Sequence, residues 1–468
     1  MKKNILWYAV ALMTAFVGVS CSNEDDFSEV PTPKPSEEVA ENIVTFTATL
    51  DTKGGSGMRA VSASGVTTWV ANEEILISYK NTSNVSQEAK ATVESVDANG
   101  KATITASLVD PKDESEVYFY YPYESWKSTS AIDFASGQDG SLSTLSQYFD
   151  YAVDDSFITH VPYTLSVSGG VATLPSSINM VNYYLIWKLS FTDGTNDITS
   201  DITKLEIHAS AGGTTDYTIT PTAPITDYFY VVMGDLLDDD IVITAHTSSG
   251  IYRRAKSGIT LEMGKIYTTT GLALTKIEVG KVMGADGNIY ANADAATTAG
   301  TSAVAMICYV GNDNCESAPY NHGLALALSD AGEVKWRSTV GDAGHTKQPN
   351  SSFTSESGLQ YNATHNNDTY PAFKNAITYN SSTAPIGCSA WFLASGYQWN
   401  KMITTAGGNY ITLRDGFGGV GGTNMQNTWY WSSSEGGFGQ SWCYNFNGGG
   451  WEGISKNGFR NVRSALAF

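Results

Sequence analysis

Hydrophobic and polar positions in this chain alternate far more often than they recur at helical spacing. In "IVTFTATL", Val44, Phe46, Ala48 and Leu50 share one face. "EILISY" places Ile75, Ile77 and Tyr79 together, and "EVYFYYPY" does the same with Val117, Phe119 and Tyr121. "YYLIWKLSF" aligns Tyr183, Leu185, Trp187, Leu189 and Phe191, and "YFYVVM" and "IVITAH" follow as further apolar runs. A period of two marks strands buried on one face. Short strands with no sustained helical period predict β-sandwiches from Ile43 to Thr275, divided near Asn179, just before the strongest new strand.

From Lys276 the pattern changes. "AVAMICYVG" and "HGLALALSDAG" read as strands, and "WYWSSSE", "SWCYNF" and "FRNVRSALAF" as the closing ones. Between them, "DTYPAFKNAITY" predicts a short helix with Asp368 as N-cap, Pro371 in the first turn, and Phe373, Ala376 and Ile377 on one face. "SGYQWNKMI" packs Trp399, Met402 and Ile403 in the same way. Seven of the 11 tryptophans fall in this block. The expected fold is mainly β: sandwiches over 43–178 and 179–275, then an α+β domain over 276–468.

The N-terminus has a different character. Lys2 and Lys3 precede "ILWYAVALMTAFVGV", an apolar run too short, and too closely followed by acid, for a spanning helix. A small residue before Cys21 resembles a bacterial lipobox, although Gly18 stands where leucine is usual. The resemblance implies a signal peptide over 1–20 and lipidation of Cys21; plain secretory cleavage near Ser20 is the alternative. Glu24, Asp25 and Asp26 resemble the acidic surface-export signal of outer-membrane lipoproteins. The Pro- and Glu-rich remainder of 21–42 reads as a tether.

Composition narrows the function. Hydrophobic residues make up 42% and charged residues 16%, so the chain is globular. Lys and Arg number 27 against 47 Asp and Glu, a net charge of −20. That field repels nucleic acid and anionic lipid. No nucleic-acid partner is expected, and no membrane contact beyond a lipid anchor before assembly. Cys308, Cys315, Cys388 and Cys443 remain after Cys21, and export permits disulfides. Cys388 and Cys443 each adjoin a core motif, "GCSAWF" and "SWCYNF", and are the expected pair. Four reduced thiols, or a bridge through Cys315, are the alternatives.

The order of segments in the first two blocks carries a resemblance. A first strand is followed by "GMRAVSASGVTTWVANEEILISY", "EVYFYYPY", "DYAVDD", "LIWKLSF" and "LEMGKIYTTTGLALT". Over Ile43 to Thr275 this resembles the fimbrillin family, the subunits of type V pili. The resemblance implies two transthyretin-like β-sandwiches and export as a lipoprotein. It also implies cleavage after an arginine in the loop behind the first strand, and filling of the vacated groove by a strand from another fimbrillin subunit. Arg59, followed by Ala60, is the only arginine of the Gly/Ser-rich "DTKGGSGMRAVSASG", a proteolysable loop composition. An uncut protein with an ordinary loop arginine is the alternative.

The third block resembles the C-type-lectin-like modules at the ends of bacterial surface proteins. The motifs are "WFLASGYQWNKM" from Trp391, "YWSSSE" from Tyr430, "WCYNF" from Trp442 and "NVRSALAF" from Asn461, in the family's order. Ala394 stands where proline is usual, and Cys443 where an aromatic is usual. Trp391, Trp399, Trp431 and Trp442 are expected in the core. The ligand-facing candidates are Tyr430, Asn445, Asn447, Trp451 and Asn461, because an aromatic face beside amides suits a sugar.

Catalytic chemistry is not in evidence. His322, His345 and His365 stand apart in the sequence. "GNDN" from Gly311 and "HNND" from His365 offer oxygen ligands for calcium, but the sugar-coordinating triplets of calcium-dependent lectins are absent. "GFGGVGG" lacks the lysine and the strand–helix frame of a phosphate loop. No enzyme, cofactor or metal is expected. The reading is a fimbrial tip adhesin at the cell outer membrane and surface, binding a host or bacterial glycan or protein. The alternative is a surface lipoprotein that binds through the same domain and never polymerises.

Overall fold

The computed structural model describes residues 42–51, 69–127, 137–144, 151–210, 215–348, 352–379 and 384–468. Cys21, Arg59 and Ala60 lie outside them. The first alternating segment forms the strand Ile43–Leu50, with Val44, Phe46, Ala48 and Leu50 buried and the residues between them exposed. It lies inside a nine-stranded sheet. The order is Glu74–Lys80, Ser86–Val96, Ala102–Val109, Ile43–Leu50, Val171–Thr173, Tyr163–Ser168, Ser115–Tyr121, Ala152–Asp154 and Met180–Asn182. A further pairing, from Leu76↔Tyr120 to Tyr79↔Val117, joins Glu74–Lys80 to Ser115–Tyr121 and closes the ring. Two stacked sheets were the expectation; the hydrogen bonding instead runs continuously around one core. Closure pairs edges that an open sheet would leave exposed. Inside, Phe46 and Phe119 stack at 6.0 Å, within a core that runs in sequence from Val44 to Met180.

The next core begins at Leu185. A three-stranded sheet of Phe229–Met233, Leu185–Thr192 and Ile266–Ala273 faces a five-stranded one. The second sheet holds, in order, Thr215–Ile219, Ile202–Ala209, Leu236–Thr247, Gly250–Leu261 and Thr275–Lys276. Leu185, Trp187, Leu189 and Phe191 meet Leu205, Ile207, Ile243 and Ala245 between them. Tyr183, expected on that face, precedes the strand and packs instead with Tyr184 and Ile186 in a separate cluster. Residues Ile241 to Ala245 are buried without alternation. A strand reads that way only when both faces are covered, so something lies against the outer face of this sheet.

The third block supplies that cover. Its six-stranded sheet runs Ile289–Tyr290, Val282–Gly284, Ala303–Val310, Gly323–Ala327, Ser464–Ala467 and Phe392–Leu393. A five-stranded sheet runs Gly332–Lys335, Phe459–Val462, Trp429–Glu435, Gln440–Asn445 and Trp451–Ser455. The helix Gly396–Thr405 starts at a capping box: Ser395 Oγ accepts from Gln398 N at 3.2 Å, and Gln398 Oε1 accepts from Ser395 N at 3.0 Å. Trp399, Met402 and Ile403 line its buried face, as expected. The helix Pro371–Ile377 also forms, but its N-cap is Tyr370, without a side-chain bond. Asp368 is drawn away into an ion pair with Lys374 at 2.6 Å.

Candidate functional site

The first strand occupies a slot with two unequal walls. Against Ala102–Val109 it makes an unbroken antiparallel ladder, from Ile43↔Val109 to Leu50↔Ala102. Against Val171–Thr173 it makes only two parallel pairs, Thr45↔Val171 and Phe46↔Ala172. Bonds from Ile178 N to Thr49 O at 2.7 Å and from Asp51 N to Ile178 O at 2.8 Å hold its end. Full burial of Val44, Phe46 and Leu50 contributes roughly 5–8 kcal/mol by area alone. A replacement strand would have to restore that.

The last strand is held differently. Ser464–Ala467 lies inside its sheet, pairing with Gly323–Ala327 on one side and Phe392–Leu393 on the other. The Phe468 ring is fully buried, and its carbonyl accepts from His322 N at 2.6 Å and Gly323 N at 3.1 Å. Arg463, also fully buried, breaks "FRNVRSALAF" into strands of two different sheets. It donates to Asp330 Oδ1 at 2.9 Å and Thr423 O at 2.8 Å, and it lies 4.1 Å over the Phe417 ring.

The five ligand-facing candidates divide. Tyr430 is fully buried and donates to Asp330 Oδ2 at 2.8 Å. Asn461 is 4% exposed and pairs with it across the sheet. Both are core positions, which corrects the sequence reading. Tyr430's strand is covered on both faces and Asn461 sits at the buried end of its own, so closeness in sequence to Trp451 does not bring them to the surface. Trp451 is half-buried, with Phe353 at 4.5 Å and Tyr444 at 5.1 Å, and its Nε1 donates to Asn400 Oδ1 at 2.9 Å. Asn445 Oδ1 accepts from Asn447 N at 2.8 Å, which fixes the turn that leaves Asn447 exposed. Trp451, Asn445 and Asn447 thus stay together at one end of the five-stranded sheet. Trp391, Trp399 and Trp431 are buried as expected; Trp442 is half-buried, its Nε1 donating to Gln348 O at 3.1 Å.

The four cysteines among the described residues, Cys308, Cys315, Cys388 and Cys443, are free. Cys388 and Cys443 belong to separate core clusters, the first near Arg253 and the second beside Trp336 and Trp431, so the expected bridge is not formed. Burial raises all four thiol pKa values. Three of the residues proposed to offer oxygens for calcium have partners within the chain. Asp313 pairs with Lys401, Asn314 is fully buried and bonds to backbone, and Asp368 holds Lys374.

Two of the three histidines meet. His345 Nδ1 donates to Ser433 O at 3.1 Å, so its bare Nε2 accepts from His365 Nε2–H at 2.9 Å. His365 Nδ1 then accepts from the Thr364 hydroxyl at 2.7 Å. Both rings are buried, and burial pushes each down to about 4. His345 stacks on Tyr361 at 3.6 Å, with Trp336 at 5.5 Å. Close by, Glu435 and Lys456 form a fully buried ion pair.

His322 lies elsewhere, on the junction between the second core and the third block. In the strand Ile202–Ala209, Leu205 and Ile207 face the core, which turns Lys204, Glu206 and His208 outward. Pairing aligns Lys204 with His246 and Glu206 with Thr244 on the next strand, and Thr244 with Arg253 beyond it. Arg253 is 1% exposed, and burial lowers its pKa. It donates to Gly287 O at 3.0 Å, Ile386 O at 2.7 Å and Gly387 O at 3.0 Å, all in the third block. Asn288 adds bonds to both backbone groups of Ala255, at 2.8 and 3.1 Å. Beside this anchor, Glu206 Oε2 lies 2.6 Å from His246 Nε2 and 3.3 Å from His322 Nε2. Burial pushes His322 down to about 4. Burial works to raise Glu206, but hydrogen bonds from His246 and Lys204 outweigh it and hold it at about 2. The sequence reading missed Glu206, His246 and Arg253. The signal available was the unalternating "IVITAH" beside polar "KLEIH".

No family model and no curated protein matches this chain. Among solved structures, a fimbrial protein from Bacteroides ovatus is similar over 92% of this chain and 100% of its own, at 14% identity and a TM-score of 0.37. A "putative cell adhesion protein" from Bacteroides uniformis is similar over 52% of this chain and 98% of its own, at 14% identity and a TM-score of 0.28. Another so described, from Bacteroides fragilis, covers 48% of this chain and 91% of its own, at 11% identity and a TM-score of 0.28.

Proposed function

We propose that this chain is the tip subunit of a fimbrium and mediates adhesion. In this reading Cys21 is lipidated, the chain reaches the outer surface, and cleavage between Arg59 and Ala60 frees the first strand. Another subunit's strand then enters the slot by β-augmentation. The first two blocks, a closed ring of strands and a sandwich, act as the paired β domains of a fimbrillin. The third acts as a C-type-lectin-like module, offering Trp451, Asn445 and Asn447 to a glycan or protein. The observation that carries the reading is the contrast between the chain's two end strands. Ile43–Leu50 fills a slot with one short wall, while Ser464–Ala467 is locked inside its own sheet by Arg463 and Phe468. A subunit that accepts a strand while its Ser464–Ala467 strand stays locked in its own sheet would sit at one end of a filament. Mixing Arg59-cleaved protein with stalk subunits tests this. One copy per filament, at its end, is expected, with surface material beginning at Ala60. Regular copies along the shaft, or filaments of this chain alone, would refute it.

A further inference from the structure

We infer that Glu206, His246 and His322 form a binding site for a divalent transition-metal ion of the zinc class, one that clamps the third block onto the second sandwich. The chain has six histidines, and two of them converge on one carboxylate oxygen from segments far apart in sequence. One ligand atom from each of the three residues lies within 4.8 Å of the others. A tetrahedral ion bonded at 2.0–2.2 Å needs donor pairs about 3.4 Å apart. The Glu206–His322 separation of 3.3 Å already meets that, and the Glu206–His246 separation of 2.6 Å must open by less than about 1 Å. The His246 and His322 nitrogens, within 4.8 Å of each other, must close by up to about 1.4 Å, and side-chain rotation of the partly exposed His246 supplies such shifts. Two imidazoles with one carboxylate select zinc, cobalt or nickel over calcium and magnesium, which prefer oxygen alone.

The surroundings support the arrangement. Lys204 Nζ holds Glu206 Oε1 at 2.6 Å, which aims the other oxygen at both rings. His208, two residues along the same strand face, is tied to Asp216 at 2.5 Å. A cleft lined by Glu206, His208, Asp216, Arg253 and His322 adjoins two of the three ligands, Glu206 and His322, and leaves space for a water as fourth ligand. Glu206 and His246 stand on the outer sheet of the second sandwich, and His322 belongs to the third block, so the ion would bridge the two beside the Arg253 anchor.

The test is titration of chelator-stripped full chain with zinc by calorimetry, and with cobalt by visible absorption. One site per chain is expected, with a raised thermal transition and no competition from excess magnesium. H246Q and H322Q keep a polar side chain but lose the ligand, and each should weaken binding at least about tenfold. Should H322Q fail to fold by near-ultraviolet circular dichroism, H246Q alone decides, because its ring is partly exposed. No zinc binding up to about 1 mM, or binding unchanged in H246Q, overturns the site.

Discussion

Acid should loosen the third block, and the His345–His365 pair sets how steeply. The ordinary histidine pKa of about 6.5 applies to the unfolded chain, whereas burial holds folded His345 at about 4. Between those values the unfolded ring binds a proton that the folded ring refuses. Stability therefore rises with pH across that window and is lost as pH falls through it. At 1.36 kcal/mol per unit, His345 alone removes about 3 kcal/mol by pH 4. His365, also held at about 4, adds a second proton, because the unfolded rings titrate independently while in the fold a proton on one opposes a second on its neighbour 2.9 Å away. Urea unfolding, followed by tryptophan fluorescence between about pH 7.5 and pH 4, measures the loss. Trp336, 5.5 Å from His345, lies within the reporting core. The variant H345N/H365Q keeps hydrogen-bonding groups without titrating rings, so its pH slope should be shallower by about two protons. His322, also held at about 4, keeps titrating in both proteins. Equal slopes for wild type and variant would refute the argument.

Three further outcomes are expected. Phe46→Ala empties a fully buried position against Phe119 and should cost about 3–5 kcal/mol in urea unfolding, while exposed Thr47→Ala should change stability by less than about 0.5 kcal/mol. Arg253→Met abandons three backbone carbonyls and should cost about 2–4 kcal/mol, with new protease sensitivity between Leu274 and Lys281 as the readout. Peptide mapping without reduction should find Cys308, Cys315, Cys388 and Cys443 all as thiols, and among these four only half-buried Cys315 should label in the native protein.

Alternation was legible wherever one strand face meets the core and the other meets water. Val44 to Leu50 and Val117 to Tyr121 are such cases. It misled where both faces are covered. Tyr430 lies in a strand of that kind and Asn461 at the buried end of its neighbour, and nothing local separates them from a surface aromatic–amide pair. The helix at Pro371 was legible from proline and its apolar spacing, but its cap was not, because Asp368 is claimed by Lys374. The junction was illegible for a different reason. Glu206, His246 and His322 sit on three separate segments, and only docking of the third block gives their outward faces a common purpose. The expected bridge between Cys388 and Cys443 failed likewise, since motif position says nothing about which cluster a side chain enters.

The strand slot makes a structural demand that goes beyond hydrophobicity. With Ile43–Leu50 withdrawn, the remaining six strands of the ring stay joined in one run, from Ala102–Val109 through Ser86–Val96, Glu74–Lys80, Ser115–Tyr121 and Tyr163–Ser168 to Val171–Thr173. The ring would open at a single gap without falling apart. Withdrawal of Ser464–Ala467 would instead break its sheet between Gly323–Ala327 and Phe392–Leu393 and unseat Phe468. A strand entering the first gap must match the alternation of Val44, Phe46, Ala48 and Leu50, with a small residue at the third of these. A slip of one residue would turn every apolar side chain to solvent. The long ladder to Ala102–Val109 sets that register and the short one to Val171–Thr173 adds little to it. Under the proposed strand exchange, selectivity among donor strands would therefore be set along the long ladder to Ala102–Val109.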